Sequence, residues 1–462
     1  MAPATIPEPY YNDDKTSFAY ISARERWPVI LTGAVDDIHR TITNIPQGGD
    51  EKVEEGKHIV SRLVALKHDL EHDRELVKFD ESKADVYGDD IIEYNRELES
   101  LPAEHKSWLT APWLYAECYM YKLLSTFFTD SKHWKGYDMF QRQKDDTFRA
   151  SQKAVAELCK RYSALQDQLS AISKDGQGAA EALKVLFHEF TDISLWGNAT
   201  DLSLLTNVSL EDIQALQGAE TRKKNEKNVI VNDIDQAWDA LNVRQGGRVD
   251  IVLDNAGFEL FTDLIYVLFL LDSKVADTVV LHPKLIPWFV SDVLPSDFAN
   301  IFNQMKDPNF FESKVESLDL VANKLAQYHE NGQLIIRTSP FWTSAKPFWE
   351  IREGGKCGGD AVRKDLLESK LVIFKGDLNH RKLLFDLAWP RTTKFTEAIG
   401  PAASNGVKIF TLRTCKADTC TGLPEGKEED LEKEWLALGH TNPREWCWMG
   451  KYAVVQFSSG NN

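Results

Sequence analysis

The chain has 462 residues, 43% of them hydrophobic and 27% charged, which is enough to bury a sizeable core in two or three domains. Its 71 acidic against 54 basic residues give a formal net charge of −17, a field that repels phosphate backbones and excludes nucleic acid as the expected partner. A small anionic substrate would therefore need a local cluster of basic side chains or a metal cation.

The first half reads as helices. Met1 to Asp14 is polar and proline-containing, unlike a secretory signal. Glu51 to Arg74 is charged and helix-favouring, with apolar residues at Val53, Ile59, Val60, Leu63 and Leu66. Trp113 to Phe128 is almost free of charge and rich in aromatics, which predicts a buried helix. Ala150 to Ile172 repeats apolar residues at helical spacing, through Ala154, Leu158, Tyr162, Leu165 and Leu169. Lys174-Asp-Gly-Gln-Gly178 then predicts a break.

Beyond it the pattern changes. Short β-type runs appear at Val229–Val231, Arg248–Leu253, Thr278–Leu281, Leu334–Ile336, Leu371–Phe374, Lys408–Leu412 and Tyr452–Phe457. Helical segments such as Gly257–Leu271 and Lys314–His329 separate most of them. Such alternation predicts an α/β domain with a mostly parallel sheet covered on both faces. The longest apolar run, Leu264 to Leu271, is too short to span a bilayer. Six cysteines lie without the paired spacing of a zinc site, as expected of reduced thiols in a cytoplasmic protein, with the nucleus as the other compartment open.

Several strands end directly in residues able to do chemistry, at the sheet edge where ligands of open α/β folds bind. Asp254-Asn255 follows the Arg248 strand and supplies hard oxygen ligands suited to Mg²⁺ or Mn²⁺, although either residue would also serve as a plain helix cap. Asp292, beyond the next strand, is a candidate third oxygen ligand or a loop residue. Asn198 and Asp201, in Trp196-Gly-Asn-Ala-Thr-Asp201, would share a face within a helical turn and orient a ligand or a water; the bland alternative is a turn and a cap. Lys375-Gly-Asp-Leu-Asn-His-Arg381 combines a glycine with groups for sugar hydroxyls (Asp377, Asn379) and a guanidinium suited to phosphate (Arg381). Arg413-Thr-Cys-Lys416 places two cations at a strand end, for phosphate or simply for solvent. No dinucleotide fingerprint, P-loop or nucleophile elbow occurs.

Taken together these segments resemble the damage-control phosphatases, formerly domain of unknown function 89, in the subfamily with an Arg-Thr-x-Lys motif. The motif stands here as Arg413-Thr-Cys-Lys416. The resemblance also covers Ser22 to Asp37, Ser194 to Ser203, Leu253 to Leu260, Val372 to Asn379 and Trp389 to Lys394. It implies an N-terminal all-α domain (1–178) packed on a Rossmann-like three-layer α/β domain (179–462). It implies a divalent cation, Mn²⁺, Co²⁺ or Ni²⁺ with Mg²⁺ also open, on Asp254, Asn255 and Asp292. Substrate positions would be Asp254, Asn255, Asp377, Leu378, Asn379, His380, Arg381 and Lys416, with a sugar phosphate such as fructose 1-phosphate as substrate. His380 stands where the family pattern has tyrosine.

The implied reaction is metal-assisted phosphoryl transfer. Asp254 would be a ligand or a nucleophile, and a water oriented by Asn198 or Asp201 is the alternative attacking group. Neither a nucleic acid nor a membrane partner is expected, and a monomer fits. The family also carries the label of an S-adenosylmethionine-dependent carboxyl methyltransferase, though no glycine-rich loop follows the first strand. A non-catalytic sugar-phosphate-binding module is the third reading.

Overall fold

The computed structural model describes residues 6–172, 179–197, 227–241 and 246–461. The expected break at Lys174–Gly178, and both Asn198 and Asp201, lie outside these. Helices of eight residues or more are numbered here among the described residues. The N-terminal layer holds α1 (Trp27–Thr43), α2 (Asp50–Glu71), α3 (Asp90–Ser100), α4 (Trp113–Thr129) and α5 (Gln141–Ala150). Then come α6 (Gln152–Ile172), α7 (Ala179–Trp196), β1 (Val229–Asn232), α8 (Ile234–Leu241), β2 (Arg248–Val252), α9 (Phe258–Asp272) and β3 (Thr278–His282). The chain continues through α10 (Pro295–Lys306), α11 (Leu318–Glu330), β4 (Leu334–Ile336), α12 (Gly359–Leu366), β5 (Ser369–Lys375) and α13 (Gly376–Leu384). It closes with β6 (Ile409–Thr414), α14 (Lys427–Ala437) and β7 (Ala453–Ser458). Helix α11 begins later than the expected Lys314 because Ser317, just ahead of it, sits in the left-handed region.

The seven strands form one sheet in the order β1-β7-β6-β5-β2-β3-β4. Every neighbouring pair is parallel except β6 with β7. The central strands are apolar on both sides because both faces are covered. Successive side chains of a strand point to opposite faces. Along β5, Leu371 and Ile373 join the core beneath α6, α7 and α9, whereas Val372 and Phe374 join a second core with Phe341, Trp342 and Leu366. That alternation is the three-layer arrangement expressed in one strand. Helix α9 is buried from Phe258 to Leu271, so it lies inside the molecule rather than on it.

The helical layer has its own core around Trp27, Trp108, Trp113 and Tyr121, joined by Trp288, Ala345, Leu378 and Ala417 from the sheet-bearing part. The layer therefore docks on the loops that follow β3, β4 and β6 and on helix α13, which follows β5 directly. Buried ion pairs fix this contact. Arg381 of α13 meets Glu117 of α4 at 3.0 Å, and Lys144 of α5 reaches Asp297 at 2.9 Å and the carbonyl of Asp292 at 3.0 Å. Unpairing a buried charge costs several kcal/mol, roughly 3–5, so these contacts hold one docking geometry. All six cysteines are free thiols. Among the described residues no helix is long and apolar enough to cross a membrane.

Candidate active site

Strands β2, β5 and β6 are neighbours and run parallel, so Asp254, the Lys375 segment and Arg413–Lys416 emerge at one edge of the sheet. Asp292 is brought there by backbone pairing. Asn255 forms an antiparallel bridge with Asp292, the amide of Val293 donates to the carbonyl of Asp254 (2.8 Å), and that of Ala256 to Ser291 (2.7 Å). The loop bends sharply to allow this: Phe289 and Val290 both have positive φ, at 43° and 69°. Such a conformation is costly for bulky and β-branched residues, and the buried Trp288 beside them helps hold it. The three residues proposed to share a cation thus lie side by side.

Their electrostatics suit one. The Nδ2 of Asn255 donates to Asp254 Oδ2 (2.9 Å) and to Glu259 Oε2 (2.7 Å), while the Ser291 hydroxyl donates to Asn255 Oδ1. Burial pushes the Asp254 carboxyl well above its usual range, and the charges of Glu259 and Asp292 push it further, against Lys284 and Lys416. Burial likewise raises Asp292 to about 7, against the pull of Lys284 and Lys144. Among the described residues Asp292 Oδ2 accepts no hydrogen bond, and it stands 3.4 Å from the Lys284 ammonium. Crowded, buried carboxylates with an amide oxygen beside them form a hard donor set, from which a divalent cation would displace protons.

Two clusters elsewhere bring ligand atoms close enough together to hold an ion, but they are otherwise engaged. Among the described residues Glu51, Glu55 and His133 form one such set, and Asp250, His282 and Asp365 another. Lys132 and Ser131 bind the first pair of glutamates, and Arg248 bridges Asp250 (2.6 Å) and Asp365 (3.0 Å).

At the end of β5, Gly376 has φ +82°, and a Cβ there would lie 1.9 Å from Asp254 Oδ2. Only glycine allows β5 and β2 to close on each other at this point. Asp377 accepts from Arg413 Nε (2.7 Å) and the Lys416 amide (2.9 Å). Burial alone would raise its pKa, but Arg413 and Arg381 outweigh it and hold it below the usual range. The side chains that follow are held by other groups of the protein. Leu378 packs into the helical core. Asn379 ties Lys284 (3.2 Å) to the carbonyls of Leu253 (3.0 Å) and Lys375 (2.7 Å). His380 is buried against Gln456, and desolvation lowers its pKa to about 3, so the ring is neutral. Arg381 is held between Glu117 and Asp386 and lies over the Trp113 ring at 3.6 Å. Its paired carboxylates hold the guanidinium in the contact between the helical layer and the sheet-bearing part.

Lys416 does reach the site. It lines a cavity of about 260 Å³ together with Asn255, Glu259, Ser291, Lys144 and Gly197. Gly197 is the last described residue before the segment that carries Asn198 and Asp201. The cavity shares Gln143, Thr147, Val290 and Ser291 with a wider cleft of about 1180 Å³ against α1 and α5. Lys284, Lys144 and Glu259 were not expected at the site. Glu259 stood within the Asp254 segment and was open to notice; an isolated lysine, whether in a loop as Lys284 or on a helix as Lys144, carries no pattern.

The family description "Damage-control phosphatase ARMT1-like domain" matches residues 22–431. Curated relatives named damage-control phosphatase ARMT1 include that of Danio rerio, 32% identical over 96% of this chain and 95% of its own length. The Homo sapiens protein of the same name is 31% identical over 98% of this chain and 99% of its own. A DUF89-family crystal structure from Pyrococcus horikoshii aligns with a TM-score of 0.38 and 14% identity, over 84% of this chain and 91% of that one.

Proposed function

Because this chain belongs to the ARMT1-like damage-control phosphatases, we propose that it hydrolyses small sugar phosphates of the fructose 1-phosphate kind, using a divalent cation on Asp254, Asn255 and Asp292. The observation that carries this reading is that the ends of β2, β5 and β6 meet at one sheet edge, where Asn255, Glu259 and Lys416 line a cavity and the buried Asp254 and Asp292 flank Asn255. The cation, when bound, would polarise the phosphate oxygens and offset their charge.

The chain's own groups do the rest. The Lys416 ammonium neutralises negative charge on the substrate within an otherwise acidic protein. The first-turn amides of α13 point from Gly376 and Asp377 toward the same edge and favour an anion there. Asp377 serves by fixing the Lys416 backbone, and Arg413 by holding Asp377. Lys284 and Asn379 brace the end of β2 through the Leu253 carbonyl.

The test is a panel of phosphomonoesters with Mn²⁺ present, read as kcat/KM. Ketose phosphates such as fructose 1-phosphate are expected to rank first, ahead of aldose phosphates and of an aryl phosphate. A clear preference for the aryl ester over every sugar phosphate would overturn the sugar reading while leaving the reaction class.

A further inference from the structure

Behind the cavity lies a buried charge cluster that the mechanism above does not use. The Lys375 ammonium donates to Asp263 (2.7 Å) and to the Ser194 carbonyl (2.8 Å), and stands 3.3 Å from Glu259 Oε1. The other oxygen of Glu259 accepts from Asn255 Nδ2 at 2.7 Å. Lys375, Glu259 and Asp263 are all almost fully buried.

An amide side chain has one end that donates and one that accepts, and turning it by half a revolution exchanges them with little change of shape. A carboxylate facing that amide has no hydrogen to give, so only Nδ2 can face Glu259. Oδ1 is then left on the Ser291 side, where both residues line the cavity. The same Nδ2 also holds Asp254 Oδ2 at 2.9 Å. One contact therefore sets the orientation of two of the three proposed ligands.

We infer that Glu259, anchored from behind by Lys375, is a positioning residue: it turns the Asn255 amide so that Oδ1 faces the cavity and Nδ2 steadies Asp254. The inference rests on the reading of Asp254 and Asn255 as cation ligands. The simpler role for an acidic residue in the first turn of α9 is to favour the helix dipole. That role needs neither burial nor a partner, whereas Glu259 is 3% exposed and bonded on both sides.

Glu259→Gln keeps the shape and supplies a donor, so both orientations of the Asn255 amide become acceptable. Outer-shell partners of this kind are typically worth 10- to 100-fold in metal affinity. The Kd for Mn²⁺, measured by titration calorimetry without substrate, is expected to rise about tenfold or more, with kcat largely recovered at saturating Mn²⁺. In the swap variant Asn255→Asp with Glu259→Gln, the new carboxylate presents oxygen either way and the glutamine donates to it. The formal charge of the pair is unchanged. Mn²⁺ affinity should return part of the way toward wild type in the swap, because the new carboxylate no longer donates to Asp254 Oδ2, and the swap carries the test if the single variant unfolds. A folded Glu259→Gln protein with wild-type Mn²⁺ affinity, or a folded swap that regains none, overturns the inference. Absence of Mn²⁺ binding by the wild type overturns it together with the cation reading. Altered Mn²⁺ binding in a protein inert toward every sugar phosphate would support it and sink the substrate reading alone.

Discussion

Asp254→Asn is expected to lower kcat/KM by about 100-fold or more in a protein that remains folded. Asp254 lies at the meeting point of β2, β5 and the Asp292 loop, 5% exposed, with its carboxyl raised by burial, Glu259 and Asp292. Asparagine keeps the volume and one oxygen but removes the charge. Whether the carboxylate serves as ligand or attacks phosphorus, that charge is needed, so either route predicts the loss. The effect on the fold should be small or even favourable, because the change relieves repulsion among three buried carboxylates. Steady-state kinetics at saturating Mn²⁺ beside thermal unfolding separates the cases. Near wild-type kcat/KM would remove Asp254 from the reaction, and a collapsed melting temperature would make it a support.

Lys416→Met is expected to lower kcat/KM about 10- to 150-fold, the loss of one charge-assisted hydrogen bond to phosphate worth roughly 1.5–3 kcal/mol. Lys416 is half-buried on the cavity wall, and its charge acts on Asp254. Its backbone is already fixed by Asp377, so methionine should leave the loop in place while removing the ammonium. The expected signature is weaker substrate binding and slower turnover, with Mn²⁺ affinity in the absence of substrate little changed. Unchanged kinetics would exclude the phosphate role; a large drop in melting temperature would assign Lys416 to the structure instead.

The parts of this site that follow local rules could be read from residues in a row. Apolar runs ending in Asp254-Asn255, Lys375-Gly376 and Arg413-Thr414 mark strand ends, and parallel pairing puts such ends at one edge. The parts that depend on distant partners could not. Arg381 looks like a phosphate ligand until Glu117, 264 residues away, is found against it. The reversed direction of β7 leaves no mark on its own pattern, which is that of any buried strand. The core changes allegiance between Phe140, which packs with the helical layer, and Phe148, which packs with the sheet, although periodicity runs on through α6 without a signal. Asp292 reached the site through a loop whose left-handed residues, Phe289 and Val290, no propensity would place there.

The paired acidic and amide groups at the end of β2 are proposed to act on phosphate esters through a divalent cation, and this role can be tested in one experiment. Its most direct test is release of inorganic phosphate from fructose 1-phosphate by one preparation in three states: as purified, after exhaustive chelation and removal of the chelator, and after Mn²⁺ is restored. Hydrolysis is expected in the first, almost none in the second and recovery in the third, with the melting temperature showing the protein folded throughout. Undiminished hydrolysis by the folded, metal-free protein would contradict it.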